Sequence, residues 1–188
     1  ALMDTSQKMG TTPLHIASQK GHLDVVKLLI DKGASFDLQT NDGRTALYIA
    51  SENGHLDVVT LLIEKGASLE IGDEDDWTAL HIASSKGHVD IVKHLLAKNA
   101  SVNHRTNDGR TALYMASRNG HLDVVKLLLA NGASIDVQTN DSETALHVAS
   151  FSGHLDVVKL LVQKGAGLDI GDKKGLTPLY MASYQDHL

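Results

Sequence analysis

The sequence contains no cysteine, so neither a disulfide framework nor thiolate chemistry is open to it. It has only two prolines, and no stretch of it is low in complexity. No apolar run approaches the roughly 18 residues a membrane-spanning helix requires, so direct membrane insertion is not expected. Residues 1–10 lack a basic region followed by an apolar core and do not read as a secretory signal. Basic charge is also short: 17 Lys plus Arg stand against 23 Asp plus Glu, a formal net charge of -6. A nucleic-acid or anionic-membrane surface needs a dominant basic patch, so neither is an expected partner. A thiol-free chain suits a reducing compartment, and the expected location is the cytoplasm. What remains is an ordinary globular composition, 42% hydrophobic and 21% charged, in 188 residues, about the size of one domain.

The chain repeats itself. Thr12, Thr45, Thr78, Thr111, Thr144 and Thr177 are each 33 residues apart. Each opens a Thr-x-Leu-His/Tyr-x-Ala-Ser block. Nine residues after the first five threonines comes Gly-His, at Gly21, Gly54, Gly87, Gly120 and Gly153. An apolar segment such as Leu23-Asp24-Val25-Val26-Lys27-Leu28-Leu29-Ile30 follows, and each unit closes with Gly-Ala or its equivalent.

Each position has a physical reading. Thr12 is placed to cap a first helix, and Pro13 suits the position after it, where an N–H would be unpaired anyway. Leu14, Ile16 and Ala17 are expected to face inward. Gly21 separates two helices. Val25, Val26, Leu28 and Leu29 have the spacing of a broad buried face on the second. Gly33 falls where a left-handed C-terminal cap is expected, and Asn99 fills that position in the third unit. Asn-Asp-Gly at 41–43 and 107–109 reads as a turn between units. One unit is too small to bury its apolar faces, so stacking must bury them, with the core expected on the second-helix faces.

These residues, the 33-residue period with Thr-Pro-Leu-His-x-Ala above all, resemble the ankyrin repeat. The resemblance implies an all-α solenoid of stacked helix–turn–helix units with projecting hairpin-like loops. It also implies a protein-binding concave face formed by those loops and the first helices. The units are expected at 7–39, 40–72, 73–105, 106–138, 139–171 and 172–188, the last one incomplete. Ala1, Met3 and Asp4 align with Ala34, Phe36 and Asp37, and His187-Leu188 with His22-Leu23. Residues 1–6 thus read as the tail of a preceding repeat, and the chain as a monomeric piece of a longer array.

Catalytic and metal chemistry find little support. Of eleven histidines, His22, His55, His88, His121, His154 and His187 share one frame position, and His15, His81 and His147 share another. Repetition in frame argues for hydrogen bonds that tie turns and neighbouring repeats together, not for a zinc site, since no cluster has ligand spacing. His94 and His104 fall outside the frame and are expected at the surface. The serines and glycines recur with the repeat, with no nucleophile elbow or phosphate loop. Asp24, Asp57, Asp90, Asp123 and Asp156 lie early in second helices, where a carboxylate favours the helix dipole. No catalytic residue, cofactor or metal is expected.

Information about a partner lies where repeats differ. The residue before each Thr runs Thr11, Arg44, Trp77, Arg110, Glu143, Leu176, and two residues after each first-helix Ala come Gln19, Glu52, Ser85, Arg118, Phe151 and Tyr184. Trp and Arg are enriched at binding hot spots. The candidate partner site is therefore Arg44, Trp77, Arg110 and Arg118 with the acidic loop Asp73, Glu74, Asp75 and Asp76, and with Phe151, Leu176 and Tyr184 further along. Trp77, the only tryptophan, either anchors a partner or plugs its own loop. The acidic loop is either a patch for a basic partner segment or simply solvated. The leading reading is a scaffold for a protein or peptide partner. The alternatives are a structural or mechanical array within a larger channel or cytoskeletal adaptor, or an engineered repeat protein. Irregular substitutions such as Asp76 and Ser142 for a turn glycine favour natural drift over design.

Overall fold

The computed structural model describes residues 10–184. The readings of residues 1–6 and of His187-Leu188 lie outside that range. Within it the protein is all-α, with no strand among the described residues. First helices are α1 (Pro13–Lys20), α3 (Ala46–Glu52), α5 (Ala79–Lys86), α7 (Ala112–Arg118), α9 (Ala145–Phe151) and α11 (Pro178–Tyr184). Second helices are α2 (Leu23–Asp31), α4 (Leu56–Glu64), α6 (Val89–Ala97), α8 (Leu122–Ala130) and α10 (Leu155–Gln163). Successive first helices stack into an inner row and successive second helices into an outer row, and each pair packs on itself. The inner row packs more closely than the outer one.

Local chemistry sets every boundary. The threonine before a first helix has extended backbone, as Thr45 does at φ -87 and ψ 167. Its hydroxyl accepts the Tyr48 N–H at 3.2 Å, satisfying an otherwise orphaned donor. In repeats one, three and five the histidine three residues on completes a capping box. The second helices end in a Schellman motif. The Gly33 N–H bonds the Ile30 carbonyl and the Ala34 N–H bonds the Leu29 carbonyl, with Gly33 at φ 89. Asn99 adopts the same left-handed conformation at φ 67.

Between repeats the chain makes a hairpin-like turn, closed by Thr40 N–H to the Arg44 carbonyl and Gly43 N–H to the Thr40 carbonyl. Adjacent turns link tip to tip: Glu74 N–H to Asp42, Asn107 N–H to Asp75, Asn140 N–H to Asp108 and Lys173 N–H to Asp141. The turn position needs positive φ; Gly43 has 79, while Asp76 and Ser142 are each held at 62. An L side chain there costs roughly 1–2 kcal/mol, partly offset by the unfolded-state freedom a glycine adds. Ser142→Gly is accordingly expected to stabilise the protein by about 0.5–1 kcal/mol in denaturant unfolding. A lowered midpoint would show that the serine hydroxyl holds the turn.

The core is built differently from the reading that placed it on second-helix faces. Nearly every residue of α3, α5, α7 and α9 is buried, including the Leu47, Leu80, Leu113 and Leu146 row and the alanines beside it. The second helices bury one face only, along Leu62, Leu95, Leu128 and Leu161, with Leu29 half-buried in the same cluster. Ile16 is exposed, contrary to its inward assignment. Its counterparts Ile49 and Ile82 are covered by Tyr48 and Trp77, a cover that Ile16 lacks among the described residues. Val25 and Leu28 are also exposed, whereas Val58 and Val124, equivalents of Val25, are buried against a preceding repeat. At the other end, α11 leaves Leu179 68% exposed. In a one-dimensional stack each repeat is held only by its neighbours. Amide exchange should therefore be fast in α11 and slow in α5 to α8; equal protection would contradict this.

Candidate functional site

Seven of the in-frame histidines tie backbone segments together, five of them from one repeat to the next. Nε2 of His55, His88, His121 and His154 lies 2.9–3.1 Å from the carbonyl of Gln19, Glu52, Ser85 and Arg118, the end of the preceding first helix. His15, His81 and His147 accept the N–H of Thr12, Thr78 and Thr144 on Nδ1. Their Nε2 then donates to the carbonyls of Leu38, His104 and Leu176. A backbone N–H can only donate and a carbonyl can only accept, so both bonds together select the neutral Nε2–H tautomer. Burial lowers the pKa of His15, and pushes that of His81 down to about 4 with help from the nearby His104.

His94 and His104 are not simple surface residues. His94 occupies the row that Leu28, Leu61, Leu127 and Leu160 fill elsewhere, and its Nε2 is shielded from solvent. His104 replaces an aliphatic residue and sits between two carboxylates, Nδ1 3.3 Å from Glu70 and Nε2 3.1 Å from Asp76. Its ring meets the His81 ring edge-on at 5.7 Å. Among the described residues, no group of three or more His, Cys, Asp or Glu is arranged to hold a metal ion. Ser18, Ser51, Ser84, Ser117 and Ser150 are buried.

In two of the three repeats that carry tyrosine in place of histidine, an arginine stands four residues earlier. Arg-Thr-Ala-Leu-Tyr occurs at 44–48 and again at 110–114. The Arg44 guanidinium lies over the Tyr48 ring at 5.5 Å and that of Arg110 over Tyr114 at 5.6 Å. Arg44 also reaches Asp42 at 3.0 Å and Glu52 at 3.6 Å, and Arg110 reaches Asp108 at 2.9 Å. The Tyr114 hydroxyl donates to Glu143 at 2.6 Å, and Tyr48 has Asp73 as its equivalent acceptor. Burial first, then these carboxylates, raises both phenol pKa values and keeps the tyrosines as donors.

Between these two stacks sits Trp77. It packs against Tyr48, Ile49 and Ile82 on one side and Tyr114, Met115 and Val148 on the other, half-buried. Around it opens a groove across repeats two to four, lined by Arg44, Glu52, Asp73, Asp75, Asp108 and Arg110 besides the aromatic rings. The structure thus brings Arg44, Trp77, Arg110, Asp73 and Asp75 together. Asp73 accepts the N–H groups of Asp75 and Trp77, and Asp76 turns away to His104. Glu74 is exposed at the turn tip, outside the groove lining. Arg118 and Phe151 are exposed at the ends of α7 and α9, also apart from it. Leu176 is half-buried, its carbonyl taken by His147. The side chain of Tyr184 lies outside the described residues. Tyr48 lines the groove without having been expected there, although the doubled Arg-Thr-Ala-Leu-Tyr was a signal for it, and Tyr114 packs against Trp77 outside the lining.

The family model described as ankyrin repeats (3 copies) matches residues 1–73 and 67–139. That described as ankyrin repeats (many copies) matches residues 120–162 and 147–188. With the stacked helix pairs described above, the chain belongs to the ankyrin-repeat family. Proteins of this family are generally protein–protein interaction modules and typically non-enzymatic scaffolds. No curated protein matches the chain.

Proposed function

We propose that the protein is a scaffold whose partner docks in the groove around Trp77, on the side of the first helices and loops. The observation that carries this reading is the groove itself: a half-buried tryptophan between two arginine–tyrosine stacks, where the repeats differ most. Trp, Tyr and Arg in a concave setting are the usual make-up of a hot spot, because rigid rings bury area and guanidinium groups direct hydrogen bonds. Neighbouring stacked helices lie about 8–10 Å apart, so three repeats fall under one partner.

Capture of the partner by the wild-type chain, followed by titration calorimetry with Trp77→Ala, tests the reading. The expected loss is about 2 kcal/mol or more, roughly 30-fold in Kd. Because Trp77 also joins two apolar clusters, unfolding must be followed in parallel. Unchanged affinity would move the site elsewhere, and an affinity loss no larger than the loss of folded protein would make the ring purely structural.

A further inference from the structure

Four of the five described inter-repeat turn tips carry an aspartate at the same position, Asp42, Asp75, Asp108 and Asp141, where the fifth has Lys174. Three of these carboxylates hold a cation of this same chain. Asp42 pairs with Arg44 at 3.0 Å, Asp108 with Arg110 at 2.9 Å and Asp141 with Lys173 at 3.3 Å. In repeat three the arginine of the frame is replaced by Trp77, while its carboxylate, Asp75, remains. Asp75 is exposed, and no ion pair reaches it or Asp73 among the described residues. Four carboxylates, Glu52, Asp73, Asp75 and Asp108, line the groove against two guanidiniums, and both of those are already engaged inside the chain.

We propose that the groove takes a basic segment of the partner, whose lysine or arginine side chain lies against Trp77 and pairs with Asp75 in the place the missing arginine leaves. The inference rests on the docking reading above and adds the partner's charge to it. The protein carries its own pattern for the contact, since repeats two and four each hold a guanidinium over an aromatic ring with a turn aspartate beside it. In repeat three His81 holds the ring's frame position and Trp77 the arginine's, so the aromatic face next to Asp75 is a tryptophan, the best of such faces for a cation. An acidic segment would meet four carboxylates and no free guanidinium. The partner's cation completes a ladder of ion pairs along the turn tips, which steers encounter and weakens as salt screens it.

The single tryptophan reports on this directly. The probe is a nine-residue Gly-Ser peptide carrying three arginines, compared with a peptide in which glutamates replace them. The arginine peptide is expected to change Trp77 fluorescence saturably, and more weakly as salt is raised. Asp75→Asn should weaken its binding at least fivefold without moving the unfolding midpoint, since no side-chain contact of Asp75 holds the fold. Trp77→Arg, which restores an internal partner for Asp75, should abolish binding of a dye-labelled peptide in anisotropy. Binding of the arginine peptide that Asp75→Asn leaves unchanged, or no saturable response at all, would overturn the proposal. A response to the glutamate peptide instead would overturn the charge assignment while leaving the groove as the docking site.

Discussion

Leu62→Ala or Leu128→Ala should lower the stability of the protein by about 2–5 kcal/mol, the cost of lost burial plus the cavity left behind. Both side chains have no solvent exposure, and both belong to the main apolar cluster that runs the length of the stack. The helix that carries Leu62, α4, packs against three others: its own first helix α3, and α2 and α6 on either side. The surroundings are helices pinned by hydrogen bonds at both ends, so the gap cannot close cheaply. A solenoid amplifies the loss, since a weakened central repeat loosens the interfaces to both sides. Leu28→Ala is the matched control. It removes the same atoms from a side chain 58% exposed, and should stay within about 0.5 kcal/mol. Urea unfolding of the three variants decides the matter. A loss under about 0.5 kcal/mol at Leu62 would mean that the buried face of the outer row has been misassigned.

The fold was legible because stacking makes the same demand six times. A threonine cap, a positive-φ residue and a leucine row recur in register, so each was identified from the period alone. Even the exceptions obeyed the rule, as Asn99 and Asp76 both adopt the positive φ their frame positions require. Exposure at the N-terminal edge was not legible this way. Val25 and Leu28 carry the residue types of a buried face, and only the absence of a packed neighbour among the described residues distinguishes them from Val58 and Leu61. A period describes what a position is for, not whether a neighbour fills it.

The site was legible in part, for a related reason. Departures from the repeat marked Trp77, Arg44 and Arg110, and these meet in one groove. Residues that follow the repeat but change meaning were overlooked. Tyr48 and Tyr114 stand at the frame position of a histidine, yet each is the ring beneath an arginine. The acidic loop looked like one patch, but its four carboxylates divide. Asp73 ties down its own loop, Asp76 holds His104, and the carboxylate of Asp75 lines the groove with no hydrogen bond or ion pair to another described residue, while Glu74 is exposed at the tip. Side-chain direction at a turn depends on the handedness of each φ, which composition does not reveal.

Stability should also fall as the protein is acidified, and His81 should supply the largest single share. Its Nδ1 faces the Thr78 N–H at 3.2 Å and its Nε2 the His104 carbonyl at 3.1 Å, so the ring is held neutral. Around it stand His104, which disfavours a positive charge on the His81 ring, and Asp76, which only partly offsets this. Burial and His104 together lower the folded-state pKa to about 4, against 6.5 for a free histidine. Above pH 6.5 the ring is neutral whether the chain is folded or not, and the contribution is fully present. Between pH 6.5 and about 4 the unfolded chain binds a proton that the folded chain refuses, so unfolding is favoured progressively. Below about 4 both states are protonated and the loss is complete. The gap corresponds to about 3 kcal/mol, at roughly 1.4 kcal/mol per pKa unit. His15, whose pKa is lowered in the same direction, adds to the slope. Carboxylates contribute their own pH dependence, so the measurement is a difference. Denaturant unfolding of the wild type and of His81→Gln, whose amide can donate and accept without titrating, should be compared from pH 7.5 to pH 4. The variant should start less stable and lose less on acidification, so that the two curves converge. Parallel curves would show that His81 charges as readily in the folded protein as in the unfolded one, and that its buried hydrogen bonds do not hold it neutral.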